Sequence, residues 1–175
     1  RGMTVIMGGI HASVMPDEAS RYVDAVFIGE AESLWPQVIK DFENGHLKKV
    51  YNGGLPALSE MKHVFPNREL MKKKYNYKFS SIVTTKGCPN YCDFCSVPTF
   101  QGKKYRERPY EDVLDEMEAT DYKGLMFAED NFYGHSKNSA NRAKQLFRGM
   151  IDRGIQKDWL GFTALNISQD AEALD

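Results

Sequence analysis

Phe79-Ser80-Ser81-Ile82-Val83-Thr84-Thr85 reads as a β-strand, and through Lys86-Gly87 it delivers the chain into Cys88-Pro89-Asn90-Tyr91-Cys92-Asp93-Phe94-Cys95. That loop holds all three cysteines of the protein, in the spacing C-x3-C-x2-C. Three thiolates so close in sequence can hold one metal centre, and they are one ligand short of closing a tetrahedral zinc site or a cubane cluster. A centre short of one ligand keeps a position for a small molecule, which suits a reaction centre better than a structural staple. An iron–sulfur cluster is the preferred reading. Zinc would need a fourth ligand from His11, His46, His63 or His135, and none stands at zinc-finger spacing from the cysteines. Inert core thiols are the remaining alternative.

Beyond the loop the pattern alternates strand and helix. Pro109 opens a helix with Val113, Leu114 and Met117 on one face. Gly124 to Phe127 reads as a strand ending in Ala128-Glu129-Asp130-Asn131. Ser139 to Gly154 is amphipathic through Ala143, Leu146, Phe147, Met150 and Ile151, and Trp159 to Leu165 forms a third strand. Repeated strand-then-helix units predict the opening part of a parallel barrel, whose chemistry sits on loops at the C-terminal strand ends. The cysteine loop and Glu129-Asp130 both fall there.

The amino-terminal residues carry a second α/β pattern. Thr4 to Met7 is a short strand ending at Gly8-Gly9, and Pro16-Asp17-Glu18-Ala19 begins a short helix. Val23 to Ile28 is a buried strand ending at Gly29. Ser33 is placed to cap a helix bearing Leu34, Val38, Ile39 and Phe42, and Gly45 to end it. Between Gly53 and Lys78 the periodicity stops at Pro56, Pro66 and Lys72-Lys73-Lys74, the composition of an interdomain linker with a solvated lysine face.

Composition sets outer limits. The 175 residues carry 23 basic and 24 acidic side chains, a net charge of -1, which gives no general attraction to nucleic acid or anionic membrane. No apolar run approaches the roughly 20 residues of a membrane helix, and no signal peptide opens the sequence. Clustered thiols without remote partners suit a reducing compartment, the cytoplasm. The chain opens Arg1-Gly2 directly before a strand and closes on Ala171-Glu172-Ala173-Leu174-Asp175 as a helix begins, the pattern of a segment of a longer protein.

The cysteine spacing, with Phe94 before the last cysteine and a barrel strand before the first, resembles the radical SAM superfamily. Thr84-Thr85-Lys86-Gly87-Cys88-Pro89, Cys92-Asp93-Phe94-Cys95-Ser96 and Gly102-Lys103-Lys104-Tyr105-Arg106-Glu107-Arg108-Pro109 are similar to its class with an N-terminal cobalamin-binding domain. Phe127-Ala128-Glu129-Asp130-Asn131-Phe132 is similar to that class's second-strand motif. The resemblance implies that Cys88, Cys92 and Cys95 hold a 4Fe–4S cluster whose fourth iron binds S-adenosylmethionine. Reductive cleavage of that cofactor would yield a 5′-deoxyadenosyl radical. It implies that Glu129 or Asp130 receives the cofactor's amino group, with Asn131 beside them. For Arg106 and Arg108 a surface pair bridging neighbouring carboxylates is as good a reading as any contact with cofactor or substrate.

Met7-Gly8-Gly9-Ile10-His11-Ala12-Ser13 and Gly29-Glu30-Ala31-Glu32 resemble the end of a flavodoxin-like cobalamin-binding domain, where Gly8 and Gly9 would admit the cofactor's nucleotide tail. The upstream D-x-H-x-x-G motif of many cobalamin proteins is absent from the sequence, and His11 lies in the glycine turn instead. The expected fold class is therefore α/β, in three parts. Residues 1–52 are the C-terminal remnant of a cobalamin-binding-like domain, 53–78 a linker, and 79–175 the first strand–helix units of a partial radical SAM barrel. The implied activity is methylation or rearrangement at an unactivated carbon, linked to cobalamin. The substrate would be a small or lipid-like molecule, and electrons would come from ferredoxin or flavodoxin. A radical SAM methylthiotransferase would ordinarily add three upstream cysteines, which the sequence lacks. A non-catalytic iron–sulfur or zinc module is the reading from outside enzymology.

Overall fold

The computed structural model describes residues 2–61, 65–75 and 77–174, the side chains of 72–74 excepted. In chain order the elements are β1 (Ile6–Met7), α1 (Ile10–Val14), α2 (Pro16–Ala19), β2 (Ala25–Gly29), α3 (Trp35–Glu43), β3 (Val50–Gly54), α4 (Arg68–Lys74), β4 (Phe79–Ile82), β5 (Thr85–Lys86), α5 (Val97–Phe100), β6 (Arg106–Glu107), α6 (Tyr110–Ala119), β7 (Gly124–Phe127), α7 (Lys137–Asp152), β8 (Asp158–Gly161) and α8 (Ala171–Leu174). Short 3-10 turns cover Leu58–Glu60 and Leu165–Gln169. The chain forms two compact units, Arg1–Met61 with Pro89–Lys103, and Lys62–Cys88 with Lys104–Asp175.

In the first unit, β1, β2 and β3 pair in parallel in that order. Alternation along β2 sends Val26 toward α1 and α2, where it meets Ala12, Ala19 and Val23. Ala25 and Phe27 point the other way, onto Val38 of α3 and Tyr51 of β3. Helices thus cover both sheet faces, which is why β2 is apolar at every position before Gly29. Helix α5 packs on α1 in the same unit. The helix expected after Ser33 forms, but Leu34 is its N-cap and no side chain caps it. Gly45 ends it with φ 71, its N–H reaching the Phe42 carbonyl at 3.0 Å.

In the second unit, β4, β7 and β8 again pair in parallel and in order, with Ser81, Met126 and Leu160 in register. One face carries the core: Ile82, Leu125 and Phe127 against Val113, Leu114 and Met117 of α6 and Ala143, Leu146 and Met150 of α7. An aromatic group extends it, with Phe127 stacked on Phe132 at 4.6 Å, and Trp159 on Phe147 at 5.6 Å between centroids. Ser81, Met126 and Leu160, on the opposite face, are exposed.

Several boundaries differ from the sequence reading. The strand expected over Phe79 to Thr85 stops at Ile82, and Thr85–Lys86 pairs separately, antiparallel, with Arg106–Glu107. The strand expected from Trp159 to Leu165 ends at Gly161, because its neighbour β7 ends at Phe127 and offers no further ladder partner. Helix α7 begins two residues early because Ser136 caps it, its hydroxyl accepting the Ser139 N–H at 3.0 Å. Strand β3, unexpected, completes the first sheet, and the segment read as a linker carries α4.

Candidate functional site

The C-terminal ends of β4 and β7 bring together a buried polar group built entirely within the second unit. Glu129, two residues past β7, is 4% exposed and Thr84, two residues past β4, is fully buried. The Thr84 hydroxyl donates to Glu129 Oε1 at 2.5 Å, and its N–H approaches Oε2 at 3.3 Å. Burial pushes the Glu129 carboxyl up to about 7, against the lowering effect of the Thr84 hydrogen bonds and the Arg142 charge. Near neutral pH this side chain therefore sits between its acid and its anion, and a cation placed against it would favour the anion. Asp130 points outward and is exposed, so the two acids of the motif are not equivalent.

Arg142 of α7 donates Nε to the Arg108 carbonyl at 2.8 Å and Nη2 to the Thr84 carbonyl at 3.1 Å. Arg108 donates Nη1 to the Val83 carbonyl at 2.8 Å and to Glu116 at 2.7 Å, and Arg68 reaches the other Glu116 oxygen at 2.5 Å. Arg106 and Arg108 are 6% and 5% exposed, so the surface pair anticipated from sequence is a buried one. Arg108 does bridge a carboxylate, that of Glu116 on α6, eight residues further along the chain.

Asn131 is buried and braces the loops that follow β7 and β8. Its Oδ1 accepts the N–H groups of Gly134 and Ala164, both at 3.3 Å, while its Nδ2 is buried without a hydrogen-bond partner. Tyr105 fastens the same turn, donating to the Asn131 carbonyl at 2.6 Å, and burial lifts its phenol to about 12. Phe132 and Tyr133 belong to the core, whereas Tyr91 is exposed.

The cysteine loop has a different character. All three cysteines are free thiols; Cys88 and Cys95 are half-buried and Cys92 is exposed. The Cys95 N–H closes a turn onto the Cys92 carbonyl at 3.0 Å, and Lys103 lies over the Tyr91 ring at 4.6 Å. Cys88 belongs to the second unit, Cys92 and Cys95 to the first. Three soft sulfur donors on one short loop fit iron–sulfur chemistry in kind. Among the described residues no three His, Cys, Asp or Glu side chains are gathered around one ion position, so that fit rests on donor chemistry. His63, one of the alternative zinc ligands, lies outside the described residues.

In the first unit, Gly8 and Gly9 form an exposed turn between β1 and α1, with Gly9 at φ 95. Ser13 of α1 accepts the Gly29 N–H at 3.0 Å and donates to the Gly9 carbonyl at 2.8 Å, which joins the ends of β1 and β2. A Cβ at Gly53 would stand 2.0 Å from the Glu30 carbonyl oxygen, so only glycine permits this approach of backbones. His11 is exposed on α1, 3.8 Å from Glu18.

Thr84 and Arg142 were not among the residues the sequence singled out as site residues. The available signals were slight: a threonine at the end of an apolar strand, and an arginine on the face of α7 that also carries Ala143, Leu146 and Met150.

No family model matches the chain. Over 185 aligned residues it is 31% identical to bacteriochlorophyllide d C-12(1)-methyltransferase of Chlorobaculum tepidum, covering 100% of this chain and 39% of that protein. The chain thus spans about two fifths of the length of that curated relative. Its fold is similar to OxsB, a cobalamin-dependent S-adenosylmethionine radical enzyme solved with aqua-cobalamin and S-adenosylmethionine bound. The TM-score is 0.66 at 17% identity, over 88% of this chain and 25% of that one. It is also similar to the radical S-adenosylmethionine methyltransferase TsrM of Kitasatospora setae, solved with cobalamin and a 4Fe–4S cluster. That match has a TM-score of 0.62 at 20% identity, over 87% of this chain and 34% of that one. Two parallel α/β sheets in this order, the cysteine loop after β5 and the match of this whole chain to part of a methyltransferase are consistent with the cobalamin-binding radical SAM family.

Proposed function

We propose that this chain is the cluster-binding and S-adenosylmethionine-binding part of a radical SAM enzyme that methylates or rearranges an unactivated carbon with the help of cobalamin. The observation that carries the reading is the C-x3-C-x2-C loop that follows the parallel strand β4 by way of the short β5, four residues after the Thr84 that holds Glu129 at the end of the neighbouring strand β7. Cys88, Cys92 and Cys95 are the three cluster ligands, and no histidine is required. When bound, the cluster and S-adenosylmethionine supply a carbon radical able to abstract hydrogen where acid–base chemistry cannot. Glu129 receives the cofactor's ammonium group, Asp130 flanks it from the solvent side, and the free Nδ2 of Asn131 offers a donor in the same turn.

In domain terms, 1–52 is the C-terminal part of a cobalamin-binding-like domain, 53–78 the connection, and 79–175 the opening of the barrel. The cysteine-bearing segment 89–103 is barrel by chain order although it packs with the first unit. Gly8 and Gly9 leave backbone open beside the first sheet, which supports a nucleotide-like tail there. The substrate is a small or lipid-like molecule, the electron donor a ferredoxin or flavodoxin, and the compartment a reducing cytoplasm. Among the described residues no helix is long and apolar enough to cross a membrane.

The test is anaerobic reconstitution of the full-length protein with iron and sulfide, followed by an assay for 5′-deoxyadenosine under a strong reductant. Cleavage of S-adenosylmethionine is expected. An iron-loaded protein that produces none would be a non-catalytic cluster module. Cys92→Ala should abolish the visible charge-transfer absorption of thiolate-bound iron; undiminished absorption would overturn the ligand assignment.

A further inference from the structure

Thr84 uses all of its polar groups. Its hydroxyl and N–H both point at Glu129, at 2.5 and 3.3 Å. Its carbonyl accepts the Arg108 N–H at 2.9 Å and Arg142 Nη2 at 3.1 Å. Thr84, Arg108, Glu129 and Arg142 are each at most 8% exposed, so these bonds form in a setting where water cannot replace them. Four residues later the same backbone reaches Cys88.

We propose that Thr84 is a positioning residue that holds the Glu129 carboxylate ready for a cationic ligand group, and so ties that anion to the strand exit that begins the cysteine loop. The inference rests on the reading of Glu129 as the acceptor of the S-adenosylmethionine ammonium, and adds to it a residue that touches neither cofactor nor cluster. Apart from backbone, the groups acting on Glu129 are Thr84 from the exit of β4 and Arg142 from α7, and the Glu129 charge in turn raises the Tyr105 phenol ahead of β6. Glu107 and Arg108 act in turn on Arg142. Burial opposes the charged form of Glu129, and the Thr84 hydroxyl is the largest of the influences that restore it. Without that hydroxyl the carboxyl holds its proton to higher pH and loses the bond that fixes its rotamer. Valine keeps the shape of threonine and removes the donor; serine keeps the donor and removes a methyl group.

The experiment measures S-adenosylmethionine binding by equilibrium dialysis, from slightly acidic to slightly alkaline pH. It uses cluster-loaded full-length protein and the variants Thr84→Val, Thr84→Ser and Glu129→Gln. In the unsubstituted protein, affinity should rise as pH passes neutral, since the ammonium pairs with the ionised carboxylate. Thr84→Val should weaken binding about tenfold at neutral pH, the scale of a hydrogen bond to a charged group. It should also move the midpoint of the pH dependence upward. Thr84→Ser should restore both, and cluster absorption should be equal in all. Thr84→Val with unchanged affinity and midpoint, beside a weakened Glu129→Gln, overturns the role of Thr84 and leaves Glu129 as the acceptor. Glu129→Gln that binds like the unsubstituted protein overturns both. If Thr84→Val does not fold, Thr84→Ala carries the same comparison.

Discussion

Strands β1, β2 and β3 follow the same plan as β4, β7 and β8, three parallel strands in chain order, yet the two sets end in different chemistry. The first sheet ends in glycines: Gly8 and Gly9, Gly29, then Gly53 and Gly54, with backbone against backbone. The second ends in Thr84, Glu129 and Asn131, tied through Arg142 and Arg108. One region has cleared side chains away so that main chain is the surface on offer. The other fixes individual functional groups by burying them with partners. A parallel sheet gives both kinds of ending the same location, and only the residues just past each strand decide between them.

Perturbing the two regions should therefore give different signatures. Arg108→Met leaves the buried Glu116 with Arg68 alone and strips the Val83 carbonyl of its donor. A loss of about 3–5 kcal/mol is expected, the usual cost of breaking a buried ion pair from one side, read from denaturant unfolding. A loss below 1 kcal/mol would mean that the charged ending contributes little to holding the second sheet.

The next effect is a pH dependence. Because Glu129 has its carboxyl raised to about 7 in the fold from 4.5, it binds more proton when folded than when unfolded. Its contribution is therefore favourable below about pH 4.5 and is lost as pH rises through about 7. At about 1.4 kcal/mol per pH unit the loss is about 3–4 kcal/mol at most. Glu129→Gln should flatten the fall in thermal stability between mildly acidic and mildly alkaline buffer; an unchanged slope would remove Glu129 as its source.

The smallest effect belongs to the glycine ending. Gly53→Ala drives a methyl group to 2.0 Å from the Glu30 carbonyl oxygen and 3.0 Å from the Phe27 ring. A cost of about 1–3 kcal/mol is expected, as for an overpacked core, and it should not vary with pH. A pH-dependent cost would erase the contrast between the two sheets.

Much of the second unit was legible in sequence because its elements are long and periodic. The strand Gly124 to Phe127 and the buried face Val113, Leu114 and Met117 form as their patterns predict. The pairing of Thr85–Lys86 with Arg106–Glu107 was not, since two-residue strands carry no period and their partners lie about twenty residues apart. The same limit hid β3, whose Tyr-Asn-Gly-Gly composition reads as a turn. In the site, sequence named Glu129, Asp130 and Asn131 together but could not tell which acid turns inward. That depends on where β7 stops relative to Thr84, a relation between two strands. Burial of Arg106 and Arg108 was missed for a related reason: a charged tract reads as solvated until its carbonyl and carboxylate partners come from other elements.

The aromatic group of the second unit has a practical consequence. Trp159 is one of two tryptophans in the protein, and it rests on Phe147 and Phe127 while Phe132 hydrogen-bonds across to Phe162 just beyond the same strand. Its indole is thus coupled to the turn that carries Asn131 and remains 43% open to water. With Trp35 replaced by phenylalanine, the emission colour of this one side chain becomes a built-in optical gauge of how firmly the strand ends are clasped.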